Sequence, residues 1–314
     1  MDKIEEGFVD WYEGGKNYDK FQKKSFWKRM EMSVNELNAY YRKKRQFEYE
    51  MGLPIKVKSF NRKIYYFFQK SLKFDRFLNG RTLTIVRDDR IDTGRSRIYA
   101  TTHVGQNDVV SGWEAFGEQA YAIMGDPGDA YRSMEGFMIY LAGVIYMDTG
   151  WYTDDDGVVK YNPDCKLDRR ICIQNCIEYL KQGANIYIFP EGAWNITANK
   201  LVQKLYMGAV NMAYYGNADI IPVAIDRVDK KNYTLSMGKN IKVDNKDDRI
   251  KTNDYLRDTL CTLKWELIER KGIVKRSTLE DYKTEYQKFV DDIMSETERG
   301  YTEDIIRASC WHDK

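Results

Sequence analysis

Two residues that can perform acid–base chemistry, His103 and Asp108, are separated by four residues and follow the apolar run RIYATT at 97–102. The run is rich in β-branched and aromatic residues, which predicts a strand, and the residues after Asp108 are helix-like. A carboxylate at a helix start is favoured by the free N–H groups and the helix dipole. From there it can hydrogen-bond one ring nitrogen of His103 and raise the basicity of the other. The pair predicts a general base that activates a hydroxyl, and no Ser or Cys nucleophile is required if the acceptor itself attacks.

Histidine is scarce in this chain. The sequence contains two, and the second, His312, lies in a polar stretch near the C-terminal end. Any histidine-dependent reaction is therefore assigned to His103. The alternative is a structural histidine whose ring is satisfied by Asp108 within a turn, and the pair alone does not decide between the two.

Cysteine usage speaks against a disulfide framework and against a metal site. The chain has five Cys, an odd number, with no C-x-x-C motif and no nearby His. Cys172 and Cys176 share a helical face, but two thiols supply half of a tetrahedral zinc site. We expect no metal and no cofactor, and a reducing compartment.

The apolar segments predict neither a signal peptide nor a membrane span. The N-terminal residues have no basic segment followed by an apolar one. The longest apolar run, GFMIYLAGVIYM at 136–147, is shorter than the roughly 20 residues that a spanning helix needs. The expected location is cytoplasmic. The sequence leaves open whether the protein also attaches peripherally to the cytoplasmic face of the membrane.

Charge divides the chain into two regions. The formal net charge is +2, with 50 Lys and Arg against 48 Asp and Glu. This balance speaks against a nucleic-acid partner, because nucleic-acid-binding proteins usually carry a large basic excess. Residues 1–80 hold 18 basic and 11 acidic residues, a net of +7, which leaves −5 for residues 81–314. We therefore predict a basic, aromatic-rich helical region over 1–80 and a domain with C-terminal helices over 81–314 that carries the chemistry.

Residues 55–78 combine aromatic residues with seven Lys and Arg. One interpretation is a helix that packs on the main domain and has a solvated basic face. The other is an interfacial helix whose cations contact anionic lipid while its aromatic rings enter the headgroup region. The sequence leaves both open, and an anionic membrane surface is accordingly one of the expected partners.

From about residue 81 the pattern alternates between strand and helix. Short apolar runs predict strands at 97–102, 120–124, 144–147, 184–189 and 219–225. Longer stretches predict helices at 108–120, 129–141, 168–182 and 201–215, and two charged helices around Gly272 within 250–299. Strands separated by helices indicate an α/β fold with a mostly parallel central sheet flanked by helices. The N-terminal helical region, with helix predicted over 8–50, precedes it.

Two further segments accompany the H-x4-D turn. The predicted strand 184–189 runs into Phe189-Pro190-Glu191-Gly192, and Pro222 lies within the predicted strand 219–225. In this order the three segments resemble the signatures of the glycerolipid acyltransferases of the 1-acylglycerol-3-phosphate type, over roughly residues 95–240. The combination is specific, whereas each segment alone is a weak signal. GVIYMD at 143–148 occupies the place of that family's second motif.

This resemblance implies a reaction and a set of site residues. An acyl thioester, either acyl-CoA or acyl-carrier protein, is the implied co-substrate. Its fatty acyl group passes to a hydroxyl of a lipid or glycolipid acceptor such as a lysophospholipid. His103 is the implied general base, and Asp108 orients and polarises it. Glu191 and Gly192 line the acceptor side, Pro222 shapes the site and is linked to donor binding, and an oxyanion stabiliser is required but not assigned.

Two positions depart from the pattern of members that act on phosphate-bearing acceptors. Those members usually have Arg after the second-motif Asp and again two residues after FPEG, where this chain has Thr149 and Trp194. Neither residue reproduces the bidentate hydrogen bonds of Arg to phosphate. We therefore expect a sugar or an uncharged or zwitterionic headgroup that stacks on Trp194, unless Arg169 or Arg170 supplies the missing charge.

Two other functions compete with acyl transfer. One is an acyl-thioester hydrolase that uses water in the same site, which would form product without an acceptor. The other is a non-catalytic lipid-binding relative, in which the missing Arg residues mark lost catalysis. The intact pair of His103 and Asp108 speaks against the second alternative.

Overall fold

The computed structural model describes residues 23–105, 107–125, 140–153, 156–162, 165–197, 200–272, 276–278, 280–295 and 302–309. The N-terminal part of the helix predicted over 8–50, most of the helix predicted over 129–141, Cys310 and His312 lie outside these residues.

The N-terminal part of the described chain is helical, as predicted. Its helices are α1 (Phe26–Met30), α2 (Val34–Glu50) and α3 (Ser59–Leu78). Ser33 begins α2 with a capping box, in which its hydroxyl accepts from the Glu36 N–H and the Glu36 carboxylate accepts from the Ser33 N–H. Such reciprocal bonds satisfy two of the free N–H groups at a helix start.

The strands confirm the predicted mostly parallel sheet. They are β1 (Thr82–Asp88), β2 (Arg97–Thr101), β3 (Ala120–Met124), β4 (Val144–Tyr146), β5 (Trp151–Thr153), β6 (Val159–Tyr161), β7 (Asn185–Ile188), β8 (Asp219–Arg227) and β9 (Asn232–Met237). In the described residues, seven of them form one sheet in the order β1-β9-β8-β2-β7-β3-β4, and β5 and β6 form a separate hairpin. All neighbouring pairs of the large sheet are parallel except β8 and β9, which are antiparallel.

Helices cover the two faces of this sheet. They are α4 (Asp108–Phe116), α5 (Cys165–Lys181), α6 (Gly208–Gly216), α7 (Arg249–Lys271), a 3-10 turn (Arg276–Thr278), α8 (Tyr282–Met294) and α9 (Glu303–Ser309). One core lies between the sheet and α5, α6 and α7, and the other lies between the sheet and α3 and α4. The chain thus has the predicted α/β architecture.

Several elements differ from the sequence predictions. The helix predicted over 201–215 begins only at Gly208, because the backbone N–H groups of Gln203 and Tyr206 bond to Glu191 and Pro190 instead of to a helix. The hairpin strands β5 and β6 and helix α9 were not predicted. Strands β1 and β9 of the large sheet were not predicted either. β1 is a mostly exposed edge strand and β9 is rich in polar residues, so neither forms the continuous apolar run of a buried parallel strand.

Helix α2 is bound to the main domain by a buried ion pair. The Arg45 guanidinium donates from Nε and Nη2 to the two carboxylate oxygens of Asp168, each at 2.6 Å. Beside it, Arg42 Nη1 lies 2.7 Å from Asp148 Oδ2. Buried charges are tolerated only when they are paired and hydrogen-bonded. The two pairs therefore hold α2 against α5 and against the segment that contains Asp148. The boundary at residue 80 between two domains stays a prediction.

Candidate active site

The predicted site residues gather at one edge of the sheet. Strands β8, β2 and β7 are adjacent and parallel, so their carboxyl ends meet there. His103 follows β2, and Glu191 follows β7. The carboxyl ends of parallel strands are the usual place for ligands in open α/β sheets, and the fold therefore places the H-x4-D and FPEG segments side by side.

The contact between His103 and Asp108 predicted from their spacing is present. Asp108 is the first residue of α4 and is fully buried. Its Oδ2 lies 2.9 Å from His103 Nδ1 and also accepts hydrogen bonds from the backbone N–H groups of Val104 at 2.6 Å and Gly105 at 3.0 Å. The carboxylate thus closes the turn and orients the imidazole at once.

The hydrogen-bond network assigns the tautomer of His103. Because Oδ2 of Asp108 accepts two backbone N–H groups, it acts as a carboxylate acceptor toward the ring as well. His103 Nδ1 then carries the proton, and Nε2 has the free lone pair. A lone pair on Nε2 is what a general base needs.

Helix α4 is held at a fixed distance from the sheet by Tyr187 of β7. The Tyr187 hydroxyl donates to the backbone carbonyl of Asp108 at 2.8 Å. A Cβ at Gly112 would lie 2.4 Å from the same hydroxyl oxygen, so only glycine permits this approach. Sequence reasoning missed both residues, because their roles depend on the packing of α4 against β7.

The imidazole of His103 is enclosed by aromatic rings. It stacks on Phe189 with ring centroids 3.8 Å apart and an interplanar angle of 13°, and the Trp194 ring stands nearly perpendicular at 6.0 Å. The His103 side chain keeps 15% of its surface exposed. The base is therefore sterically restricted but still reachable by a substrate.

Glu191 fixes the main chain around His103. Its side chain is fully buried, and Oε1 accepts from the His103 N–H at 3.0 Å while Oε2 accepts from the Gln203 N–H at 2.8 Å. The backbone N–H of Asn195 bonds to the His103 carbonyl at 2.7 Å. Glu191 is thus placed as a positioning residue behind the base, and its predicted contact with the acceptor stays a prediction.

Burial raises the pKa of Glu191 to about 7, against two backbone hydrogen bonds that lower it. The folded protein therefore holds this proton more tightly than the unfolded chain, whose Glu has its ordinary pKa of 4.5. We expect the unfolding free energy of the wild type, relative to Glu191→Gln, to fall by on the order of 3 kcal/mol as the pH rises from about 4.5 to about 7. Urea denaturation of both proteins across this range measures the difference.

Glu280, which is exposed, gives the matched control for this titration. Glu280→Gln removes a carboxyl from the surface of the protein, and the same denaturation series is recorded for it. A pH-independent difference between the wild type and Glu191→Gln would show that Glu191 is not protonated near neutral pH.

The remaining predicted site residues differ in exposure. Gly192 is exposed with φ of 73°, and a Cβ there would lie 2.5 Å from the Tyr206 ring. Trp194 is only 6% exposed, because Ile196 and residues of α8 and α9 cover it. The Trp194 ring thus packs beside the imidazole of His103. Its predicted stacking on a sugar stays a prediction.

Pro222 lies within the buried strand β8, paired with Ala100 of β2. A proline inside a sheet normally removes a ladder hydrogen bond. Here the β8–β9 ladder begins only at Val223, so the missing N–H interrupts no bond to β9, and the Pro222 carbonyl still accepts from Gly238 at 2.9 Å. Its predicted link to the acyl donor stays a prediction.

The surroundings of the second-motif segment contain guanidinium groups that the sequence pattern did not place. Arg42 of α2 pairs with Asp148, and the Arg169 guanidinium donates to the Thr149 carbonyl and lies 5.4 Å from the centre of the Tyr161 ring. Sequence reasoning named Arg169 but missed Arg42, which is 106 positions away from Asp148 and has no local signal.

Comparisons with known proteins agree with the motifs. Residues 82–226 match the family model described as Acyltransferase, which confirms the resemblance to the glycerolipid acyltransferases. This segment contains His103, Asp108, Glu191, Gly192, Trp194 and Pro222. Among curated proteins, no sequence matches the chain.

The solved structures similar to this chain include the crystal structure of the 1-acyl-sn-glycerophosphate (LPA) acyltransferase PlsC from Thermotoga maritima. The two chains are 13% identical, with a TM-score of 0.47, and the match covers 80% of this chain and 88% of that one.

Two other kinds of site are absent from the residues that the structure describes. No helix there combines the length and apolarity needed to cross a membrane. No group of three or more His, Cys, Asp or Glu side chains there could hold a metal ion. The expectation that the protein uses no metal or cofactor stays a prediction.

Proposed function

Because residues 82–226 match the family model described as Acyltransferase, we propose that this protein transfers a fatty acyl group from acyl-CoA or acyl-carrier protein to a hydroxyl of a lipid or glycolipid acceptor. The observation that carries the proposal is the contact of 2.9 Å between His103 Nδ1 and Asp108 Oδ2. It leaves the lone pair of Nε2 available beyond the carboxyl end of β2.

In the proposed reaction the acceptor hydroxyl donates its proton to His103 Nε2 while its oxygen attacks the thioester carbonyl. The carbonyl π electrons move to oxygen and form a tetrahedral intermediate. This intermediate collapses, the C–S bond breaks, and the proton on Nε2 passes to the leaving thiolate. Asp108 stabilises the imidazolium that forms between the two steps, since it is a buried carboxylate in direct contact with Nδ1.

We propose an acceptor headgroup whose recognition does not depend on a phosphate bound by two arginines. Thr149 and Trp194 stand at the two positions where the family's phosphate-binding members usually have Arg. The nearby guanidinium groups have protein partners, Asp148 for Arg42 and the Thr149 carbonyl for Arg169. These pairs favour an uncharged or zwitterionic lipid, or a glycosylated one.

A thiol-release assay tests the transfer and separates it from hydrolysis. Acyl-CoA or acyl-carrier protein is incubated with the protein alone and with each member of a panel of lysophospholipids, glycerol 3-phosphate and glycolipids. We expect thiol release to depend on an acceptor, with the acylated acceptor recovered in equal amount. Release of free fatty acid at the same rate without any acceptor would instead identify an acyl-thioester hydrolase.

We also propose that α3 docks on an anionic membrane. One face of α3 packs on the domain, where the Tyr65 hydroxyl donates to the Trp113 carbonyl at 2.8 Å. The opposite face exposes large apolar side chains next to exposed lysines such as Lys63 and Lys70. These side chains form an apolar stripe that consists of Phe60, Phe67, Phe74, Phe77 and Leu78, each more than half exposed.

The geometry of the stripe suits an interfacial helix. Phe60, Phe67 and Phe74 follow one another at intervals of seven residues, which places them on one side of the helix. Exposed aromatic rings flanked by cations are typical of surfaces that enter the headgroup region. Docking at the cytoplasmic face of the membrane would bring the sheet edge near lipid acceptors, and a cytoplasmic location is part of the proposal.

Liposome flotation tests the docking. The double variant Phe67→Ser/Phe74→Ser should lose most of its binding to anionic vesicles, because both rings are more than 60% exposed and contribute apolar area only to the membrane. Phe289→Ser on α8, where the ring is 42% exposed, is the matched control and should float like the wild type. Equal flotation of the double variant and the control would remove α3 as the docking surface.

A further inference from the structure

A cleft lies beside the His103–Asp108 turn, on the side of β2 away from Glu191. The sheet order places β8, β9 and β1 on one side of β2, and β7 on the other. The cleft is formed by the end of α3, the start of β1, the first turn of α4 and the β8–β9 turn. Its polar lining includes Arg76, Arg81, Asn107, Ser111, Lys230 and Lys231, and we call it the basic cleft.

The charge of the basic cleft is positive. Four of its lining residues are Lys or Arg, and one, Glu114, is acidic. Arg76 pairs with Glu114 at 2.5 Å, but its Nε is buried and has no hydrogen-bond partner in the described part of the chain. Lys230 pairs with Asp292 at 2.9 Å, and both side chains are about half exposed, where an ion pair contributes little.

Lys231 strengthens this excess. Its side chain is exposed, and no carboxylate among the described residues forms an ion pair with its ammonium group. Guanidinium and ammonium groups that converge on a concave surface are suited to phosphate, the guanidinium through paired hydrogen bonds and the ammonium as a point charge. The first turn of α4 adds the favourable end of a helix dipole.

The position of the cleft relative to the base matches the dimensions of a thioester donor. Asn107 lines the cleft and is four residues after His103, so the chain between them spans at most about 14 Å. The pantetheine arm, which joins the thioester sulfur to the first phosphate of the donor, contains roughly as many linked atoms as four residues of extended backbone. A phosphate in the cleft would thus leave the thioester within reach of His103.

We propose that the basic cleft binds the phosphate of the acyl donor. This inference rests on the proposed function, because it assigns one substrate of that reaction to one side of the catalytic histidine. The acceptor then approaches from the side of Glu191 and Thr149, where the guanidinium groups are already paired. The phosphate belongs either to the nucleotide portion of CoA or to the phosphopantetheine of a carrier protein.

The test uses the double variant Arg81→Gln/Lys231→Gln, since both side chains are exposed and their loss should not unfold the protein. The control is Lys239→Gln/Lys242→Gln. These two exposed lysines flank Ile241, which bridges to Ile220 at the start of β8 and hence at the opposite edge of the sheet. Calorimetry measures the binding of adenosine 3′,5′-bisphosphate and of CoA, and steady-state kinetics measures KM for acyl-CoA, for acyl-carrier protein and for the acceptor.

We expect KM for the donor to rise about tenfold or more in the double variant while kcat and KM for the acceptor stay nearly constant. A matching loss of adenosine bisphosphate binding identifies CoA as the source of the phosphate, and a rise in KM for acyl-carrier protein alone identifies phosphopantetheine. An unchanged donor KM, or a rise in KM for the acceptor instead, overturns the inference. Nucleotide binding needs no turnover, so a protein that binds it in the cleft but transfers no acyl group would refute the proposed function and not the cleft.

Discussion

Replacing His103 by Ala is expected to lower the rate of acyl transfer about 10³-fold or more, because the reaction loses the base that removes the proton of the attacking hydroxyl. The sequence contains one other histidine, His312. The measurement is thiol release from the acyl thioester at saturating acceptor, followed by recovery of the acylated product.

The fold should survive this substitution. The backbone N–H and carbonyl of His103 bond to Glu191 and to the Asn195 N–H, and neither bond involves the imidazole. The lost stacking on Phe189 is a modest packing term. His312→Ala is the matched control and should turn over like the wild type. A wild-type rate of thiol release by His103→Ala would contradict the proposed mechanism.

Asp108→Asn is expected to lower kcat by about 10²- to 10⁴-fold while the affinity for donor and acceptor changes little. The carboxylate is buried in contact with His103 Nδ1, so its negative charge stabilises the imidazolium that forms when the hydroxyl is deprotonated. An amide has no such charge and can also hold the ring in the wrong tautomer. The measurement is kcat and KM of the variant with the acceptor identified by the thiol-release screen.

Asp108→Asn is also expected to destabilise the fold, and this effect must be measured separately from the effect on the rate. The amide can keep its oxygen toward the N–H groups of Val104 and Gly105, but its NH₂ group then replaces Oδ1, which is buried and has no hydrogen-bond partner in the described part of the chain. Thermal denaturation measures this cost independently of the rate. Asp258→Asn, an exposed position on α7, provides the control. If the Asp108 variant melted normally and kept the wild-type kcat, Asp108 would have no part in catalysis.

The local part of the site was predictable because its residues are close in the sequence. His103 and Asp108 are five positions apart, so a strand followed by a helix start is enough to bring their side chains together. The strands β2, β3, β7 and β8 were predictable for a related reason. Each is a short apolar run, and burial on both faces of a parallel sheet leaves that pattern in the sequence.

The role of Glu191 was not predictable in the same way. The FPEG pattern indicated a residue that lines the acceptor side, whereas the structure buries the carboxylate against the main chain of His103 and Gln203. A sequence motif shows which residue type is present. It does not show which groups the side chain contacts, because these depend on the loop that packs over it. Here the loop over 201–207 does so, in a segment where the periodicity predicted a helix.

By itself the sequence determined the fold class, the pairing of His103 with Asp108 and the place of the base at the end of a strand. These follow from periodicity, turn chemistry and contacts over a few residues. Only the tertiary structure decided that Arg45 of α2 is buried on Asp168, 123 positions away, that Trp194 is covered, and that four cationic residues line one cleft together with Asn107. Such pairings bring together residues with no common local pattern, because burial, sheet order and packing select them and the spacing along the chain does not.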